Sequence, residues 1–130
     1  MSAKREIILQ WVQRAENDLR AAEILFSSDP LIMDIACFHF QQAVEKYLKV
    51  FLVFHDKEFI FSHNIDYLLD LCAQIDATYA DTDPLNLSLY AVRTRYPHDH
   101  VAPDKPEVEY YLNLTKKIRD AVMGSISSAL

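Results

Sequence analysis

The sequence predicts an all-α protein, an up-and-down bundle of four long helices plus one short helix. Three observations carry this reading. Apolar residues recur at three- and four-residue steps through most of the chain, the period of a helix with one buried face. A single glycine, Gly124, occurs in 130 residues, too few for the tight turns of a β-protein. The five prolines fall outside the long apolar-periodic stretches, where proline starts or stops helices.

In the first helix Ile7 or Ile8, Trp11, Ala15, Leu19, Ala22 and Phe26 form one stripe. Arg5, Arg14, Glu16, Asp18 and Arg20 fall mostly opposite. "SSDP" ends it, and Asp29-Pro30 offers an N-cap and first-turn proline for the second helix. That second helix, within LIMDIACFHFQQAVEKYLKVFLVFHDK, carries Cys37, Phe40, Val44, Leu48 and Phe51 on one stripe. Ala36, Phe38, Ala43, Tyr47, Val50 and Phe54 widen the stripe nearly all round. A helix so apolar is central to a bundle or is also buried in a partner.

Only Gln41, Gln42, Glu45, Lys46 and Lys49 are plainly polar within it. The charges read as a solvated strip, with Glu45 and Lys49 paired at i,i+4. The glutamines, interrupting so apolar a helix, read as bonding across an interface or to backbone ends. Ser62 is expected to cap a third helix bearing Ile65, Leu68, Leu69, Cys72, Ile75 and Tyr79. His63 then falls in its first turn, as a neutral capping or core-rim histidine or as a group lining a groove. Asp83-Pro84 opens a short fourth helix, LNLSLYAVRTRY, which Pro97 ends nearby. After the polar loop DHVAPDKPE, a last helix from about Glu107 carries Val108, Tyr111, Thr115, Ile118, Val122 and Ile126. No repeat, linker or low-complexity tract divides the chain, so residues 1–130 read as one domain.

The totals exclude several functions. Without a glycine-rich loop, no Walker or Rossmann phosphate cradle can form. Cys37 and Cys72, in apolar stretches without a close pair, read as reduced buried thiols of a cytosolic protein. No apolar run approaches the ~20 residues of a membrane span, and the charged N-terminus is no signal peptide. A soluble, cytoplasmic protein is expected. The net charge of −6 and pI near 5.2 are unsuited to binding nucleic acid over the whole surface, so any such role is local.

The stretch RTRYPHDH, residues 93–100, concentrates cationic and titratable chemistry. Arg93 and His98 stand five apart, as do Arg95 and His100. A guanidinium that grips phosphoryl oxygens beside an imidazole that moves a proton suits RNA cleavage, and that chemistry needs no metal. Histidine titrates near neutrality, as the task requires. Cationic side chains at a helix C-terminus are also favoured by the macrodipole whatever the function. A metal reading of His98, Asp99 and His100 has no clear third ligand, because His39, His55 and His63 sit on separate elements. No metal or other cofactor is expected. Tyr110 and Tyr111 read as core aromatics, since interleaved Lys and Arg are missing.

Several of these residues together resemble the HEPN (higher eukaryotes and prokaryotes nucleotide-binding) domain family. They are "WVQRAENDLRAAEIL", "ACFHFQQAVEKYLKVFLV", "SHNIDYLLDLC" and "RYP", in order from Trp11 to the last helix. The most specific parts are the run from Phe40 to Lys49 and the Ser-His-x-Ile start of the third helix. The Arg-Tyr-Pro signature is similar to a branch often paired with a minimal nucleotidyltransferase.

The resemblance implies a helical bundle, a homodimer and a two-component toxin–antitoxin module. In it the HEPN protein cleaves RNA and the nucleotidyltransferase neutralises it. The family's Arg-x4–6-His motif is matched by Arg95 and His100, and also by Arg93 and His98. By resemblance Arg95 orients the scissile phosphate and His100 is the general acid/base, at a dimer cleft. Arg93, Tyr96, His98, Asp99 and His63 are the supporting or substrate-binding residues. The chain departs from the pattern in having Tyr96 where a small polar residue commonly follows the arginine. It also has Ala102 where adenylylated toxins carry a tyrosine, leaving Tyr96 as the acceptor at hand. The alternative is a non-catalytic nucleotide-binding or accessory subunit that docks the nucleotidyltransferase.

Overall fold

A computed structural model describes residues 2–28, 32–93 and 102–129. Its helices are α1 (Ala3–Ser28), α2 (Met33–Phe54), α3 (Ile65–Ala73), α4 (Tyr90–Arg93) and α5 (Lys105–Ile126). Short 3-10 turns at Ala77–Asp81 and Leu87–Leu89 join α3 to α4, and another follows α5. No strand occurs among the described residues. The all-α bundle expected from periodicity is the fold observed.

Helix α2 is the centre, packed by α1, α5, α3 and α4. Its apolar stripe of Cys37, Phe40, Val44, Leu48 and Phe51 is buried, and so are Ala36, Ala43, Tyr47 and Val50 from its flanks. The breadth of its apolar surface is therefore satisfied within one chain. On α1, Ile8 turns inward while Ile7 stays exposed. Ala15, Leu19 and Ala22 continue that buried stripe, and small residues let helix backbones approach closely. On α5, Val108, Tyr111, Thr115, Ile118, Val122 and Ile126 are all buried, as their spacing predicts, whereas Tyr110, expected in the core, is exposed and donates to the Asp83 carbonyl. The Thr115 hydroxyl reaches back to the Tyr111 carbonyl at 2.7 Å, so a buried hydroxyl costs little here.

The ends of the elements depart from expectation. Helix α2 opens at Met33, with Ile32 at the N-cap and no side-chain cap. Asp29 and Pro30 lie outside the described residues. The α2 C-terminus closes without glycine. Asp56 takes a left-handed φ of 56°, while the Lys57 amide donates to the Leu52 carbonyl and the Asp56 amide to Val53. This is a Schellman closure with Asp at the left-handed position.

Ser62 does not cap α3. Asn64 does, its side chain accepting from the Tyr67 amide, while Ser62 Oγ accepts from the Asn64 amide. His63 consequently precedes the helix and is outside its first turn. Helix α3 is also shorter than the pattern suggests, nine residues ending at Ala73. Ile75 lies beyond it, and Tyr79 is buried from the separate 3-10 turn. Leu87 likewise reaches the core from a 3-10 turn. Asp104 caps α5, accepting from the Glu107 amide at 2.8 Å, and Pro106 sits in the first turn.

Cys37 and Cys72 are both buried and unpaired. Burial pushes the Cys72 thiol from 9.0 up to about 12, and it raises Cys37 as well, with Glu107 and Asp34 adding to the effect. Between those two values the unfolded chain releases a proton that the folded chain keeps. Stability is therefore undiminished by this group below 9.0 and falls as pH rises toward about 12. Urea midpoints measured across that alkaline range should decline, and Cys72→Ala should shallow the decline. An equally steep decline in the variant would exclude Cys72 as a source. Buried Phe51 stacks at 4.9 Å from Tyr79, so Phe51→Ala should lose ~3–5 kcal/mol in chemical denaturation. An unchanged midpoint would contradict its place in the core.

Candidate functional site

Gln41, Glu45 and Lys49 recur every four residues on one face of α2, and all three are buried. The strip expected in solvent is inside the protein, because the segment between α2 and α3 covers it. Glu45 is its centre. One carboxylate oxygen meets His63 Nδ1 at 2.7 Å and accepts from Gln41 Nε2 at 3.1 Å. The other accepts from Lys49 Nζ at 3.0 Å. Gln41 Nε2 also donates to the His63 carbonyl, and Gln42 donates to Gln41 Oε1. Gln41 thus bonds the backbone just before α3, as its position in an apolar helix suggested, whereas Gln42 bonds the Gln41 side chain.

The Lys49 ammonium has further company. It lies 5.6 Å from the Trp11 ring centroid, 5.9 Å from Phe59 and 5.3 Å from Phe61. Aromatic faces attract a cation most where water is excluded, and the Lys49 side chain is only 4% exposed. Three elements therefore converge on one ion pair: α1 through Trp11, α2 through Glu45 and Lys49, and the 57–64 segment through Phe59, Phe61 and His63. A carboxylate only accepts, so the Nδ1 facing Glu45 carries a proton. That leaves Nε2 of a half-exposed imidazole without a hydrogen-bond partner among the described residues.

A second network joins α1 to α2. Asp18 pairs with Lys46 and, at 3.0 Å, with His39. Tyr47 Oη donates to Glu16 at 2.6 Å, and burial, followed by that bond, raises the Tyr47 hydroxyl. A third set of contacts frames the RTRYPHDH stretch. Tyr90 Oη donates to Glu107 at 2.8 Å, tying α4 to the first turn of α5. Burial first, and then the Glu107 bond, raises the Tyr90 hydroxyl. The Ile65 amide donates to Ser88 Oγ at 2.8 Å, which fixes the α3 start against the turn before α4.

Of the residues singled out in the sequence, His63 is fully described and joined to Glu45. Arg93 is the last residue of α4. Arg95, Tyr96, His98, Asp99 and His100 lie outside the described residues. Among the described residues no group of three His, Cys, Asp or Glu side chains is arranged to hold a metal. No helix among them is long and apolar enough to cross a membrane. Sequence reasoning passed over Lys49 and Phe61 as site residues. The available signal was the four-residue step from Gln41 to Lys49, which keeps one polar line on an otherwise apolar helix.

The fold and its internal ion pair define a helical-bundle domain in which α3 is locked to α2 by polar contacts. A HEPN domain family model matches residues 8–125, and the chain belongs to this family. The crystal structure of ST0689, an archaeal HEPN homologue, is similar with a TM-score of 0.65 and 24% identity. That likeness covers 92% of this chain and 97% of the other. No curated protein sequence matches the chain.

Removing one partner of a buried ion pair leaves the other charge unmatched. Glu45→Ala should therefore lose ~3–5 kcal/mol in urea unfolding. The double variant Glu45→Leu/Lys49→Met should recover a substantial part of it. A Glu45→Ala protein as stable as the parent would mean that Lys49 does not depend on Glu45.

Proposed function

We propose that this HEPN protein is a metal-independent endoribonuclease of the toxin type. The observation that carries the reading is the Arg95-x4-His100 spacing inside the stretch covered by the family match. That stretch joins α4 to α5, and Tyr90, the first residue of α4, donates to Glu107 in the first turn of α5. Arg95 holds two phosphoryl oxygens, an arrangement its planar fork makes bidentate. His100 takes the proton from the ribose 2′-hydroxyl, whose oxygen then attacks phosphorus. The bond to the 5′-oxygen breaks, and that oxygen leaves with the proton the His100 imidazolium gives back. The products are a 2′,3′-cyclic phosphate and a 5′-hydroxyl. No cofactor enters this sequence of steps.

Arg93, Tyr96, His98 and Asp99 contact the RNA around the reacting phosphate. The active form is a homodimer in the cytoplasm, with two Arg95–His100 pairs at one cleft. A minimal nucleotidyltransferase is the antitoxin partner, and Tyr96 is the hydroxyl nearest the site in sequence that it could adenylylate. Tyr96, standing where a small polar residue commonly follows the motif's arginine, favours a second reading, in which the chain is a non-catalytic nucleotide-binding or accessory subunit that docks that partner.

The test is growth of cells expressing the wild type beside an Arg95→Ala/His100→Ala variant, with total RNA mapped for new ends. Arrest and new cyclic-phosphate ends are expected with the wild type only. Equal growth and intact RNA, with both proteins folded, would discard the nuclease and leave the accessory subunit. His100→Ala alone should abolish cleavage while keeping the wild-type melting curve.

A further inference from the structure

The 57–64 segment holds an arrangement that cleavage at RTRYPHDH does not use. Ile60 and Phe61 are 71% and 81% exposed, although large apolar side chains are normally covered. Such exposure normally accompanies movement, but here the segment is pinned. Lys57 Nζ donates to Gln74 at 2.7 Å, and the Ile60 amide donates to Tyr67 Oη at 3.1 Å. The Phe61 ring stands edge-to-face with His63 at 5.0 Å, and the buried Lys49 ammonium lies beneath it. With one face backed by that cation, the other is open to solvent. Beside it is the imidazole whose Nδ1 is fixed by Glu45 and whose Nε2 is available. An exposed flat ring in contact with a buried cation, with a hydrogen-bonding imidazole a few ångströms away, matches a nucleotide: a base to stack and a sugar–phosphate to bond.

We propose that Phe61 and His63 form a nucleotide subsite for single-stranded RNA, with a base stacked on Phe61 and the adjoining sugar–phosphate bonded by His63 Nε2. Glu45 is its positioning residue, orienting the imidazole from behind. The subsite lies at the start of α3, which Ser88 ties to the segment leading into α4. This rests on the RNA-cleaving reading for its ligand class, but its test does not depend on cleavage.

The probe is a short, end-labelled, single-stranded oligoribonucleotide carrying 2′-O-methyl groups, which cannot react through its 2′-hydroxyl. Binding to the full chain is followed by anisotropy and by the fluorescence of Trp11, the chain's single tryptophan, which packs on Lys49. Wild type should bind and perturb Trp11. Phe61→Leu, which keeps an apolar side chain but no ring, should weaken binding about tenfold or more. Phe61→Trp should retain it, and His63→Gln should weaken it. Phe61 is 81% exposed, so its variants should remain folded, and a melting curve of each accompanies the binding measurement.

Equal affinity of wild type and Phe61→Leu would overturn the subsite, and so would no binding by wild type. Self-association that survives Phe61→Leu but not Phe61→Ser, with RNA binding unmoved, would assign the tip to a protein interface instead. RNA cleavage by the wild type with an inert Phe61 would retain the nuclease and discard only this subsite. Binding lost in Phe61→Leu with no cleavage by the wild type would do the reverse.

Discussion

One buried carboxylate organises this bundle. Glu45 lies near the middle of the helix most completely surrounded by protein, where an isolated charge is costly. It is kept there by meeting a lysine, an amide and an imidazole together. Each partner commits a different part of the chain: Lys49 draws Trp11 of α1 and two phenylalanines onto its ammonium, Gln41 holds the backbone of the next segment, and His63 brings the start of α3. A hydrophobic substitute could fill the same volume but could not specify three neighbours by direction. The hydrogen-bond geometry therefore fixes where α3 begins relative to α2, a relation that apolar packing alone leaves loose.

That placement propagates toward the stretch bearing Arg95 and His100. The α3 start holds Ser88, Ser88 precedes α4, and Tyr90 of α4 reaches Glu107 in the first turn of α5. The flanks of RTRYPHDH are thus set by a chain of contacts that begins at Glu45. Catalysis by positioned side chains depends on such support, since small displacements of a reacting group lose much of its effect. An acidic protein with a local cationic site is also consistent with this economy. Its overall field repels RNA, so the RNA binding proposed above would rest on short-range grips such as a bidentate arginine or a stacked ring.

Much was legible in the sequence wherever one face of a helix met a core. The stripes of α1, α2 and α5 were readable because burial of apolar area imposes a 3.6-residue period. Misreadings cluster where periodicity is not what decides structure. Ser62 and Asn64 are both good caps, and the choice between them turned on where His63 had to lie to reach Glu45. Ile75 and Tyr79 fit the α3 register, yet the helix stops at Ala73 and Tyr79 enters the core from a 3-10 turn against Phe51. The polar line from Gln41 to Lys49 had the spacing of an exposed strip, and only the covering segment made it interior.

The sequence by itself determined the all-α class, the unusual apolar breadth of α2, the buried thiols and the family to which the chain belongs. These follow from local periodicity and from residue types at fixed spacing. Tertiary structure alone decided that Glu45 and Lys49 are a buried pair, that His63 stands outside α3 with one nitrogen fixed, and that Phe61 lies over a cation. Each of those relations joins residues from different elements. Their distances depend on how the elements pack, and no period along a single helix encodes them.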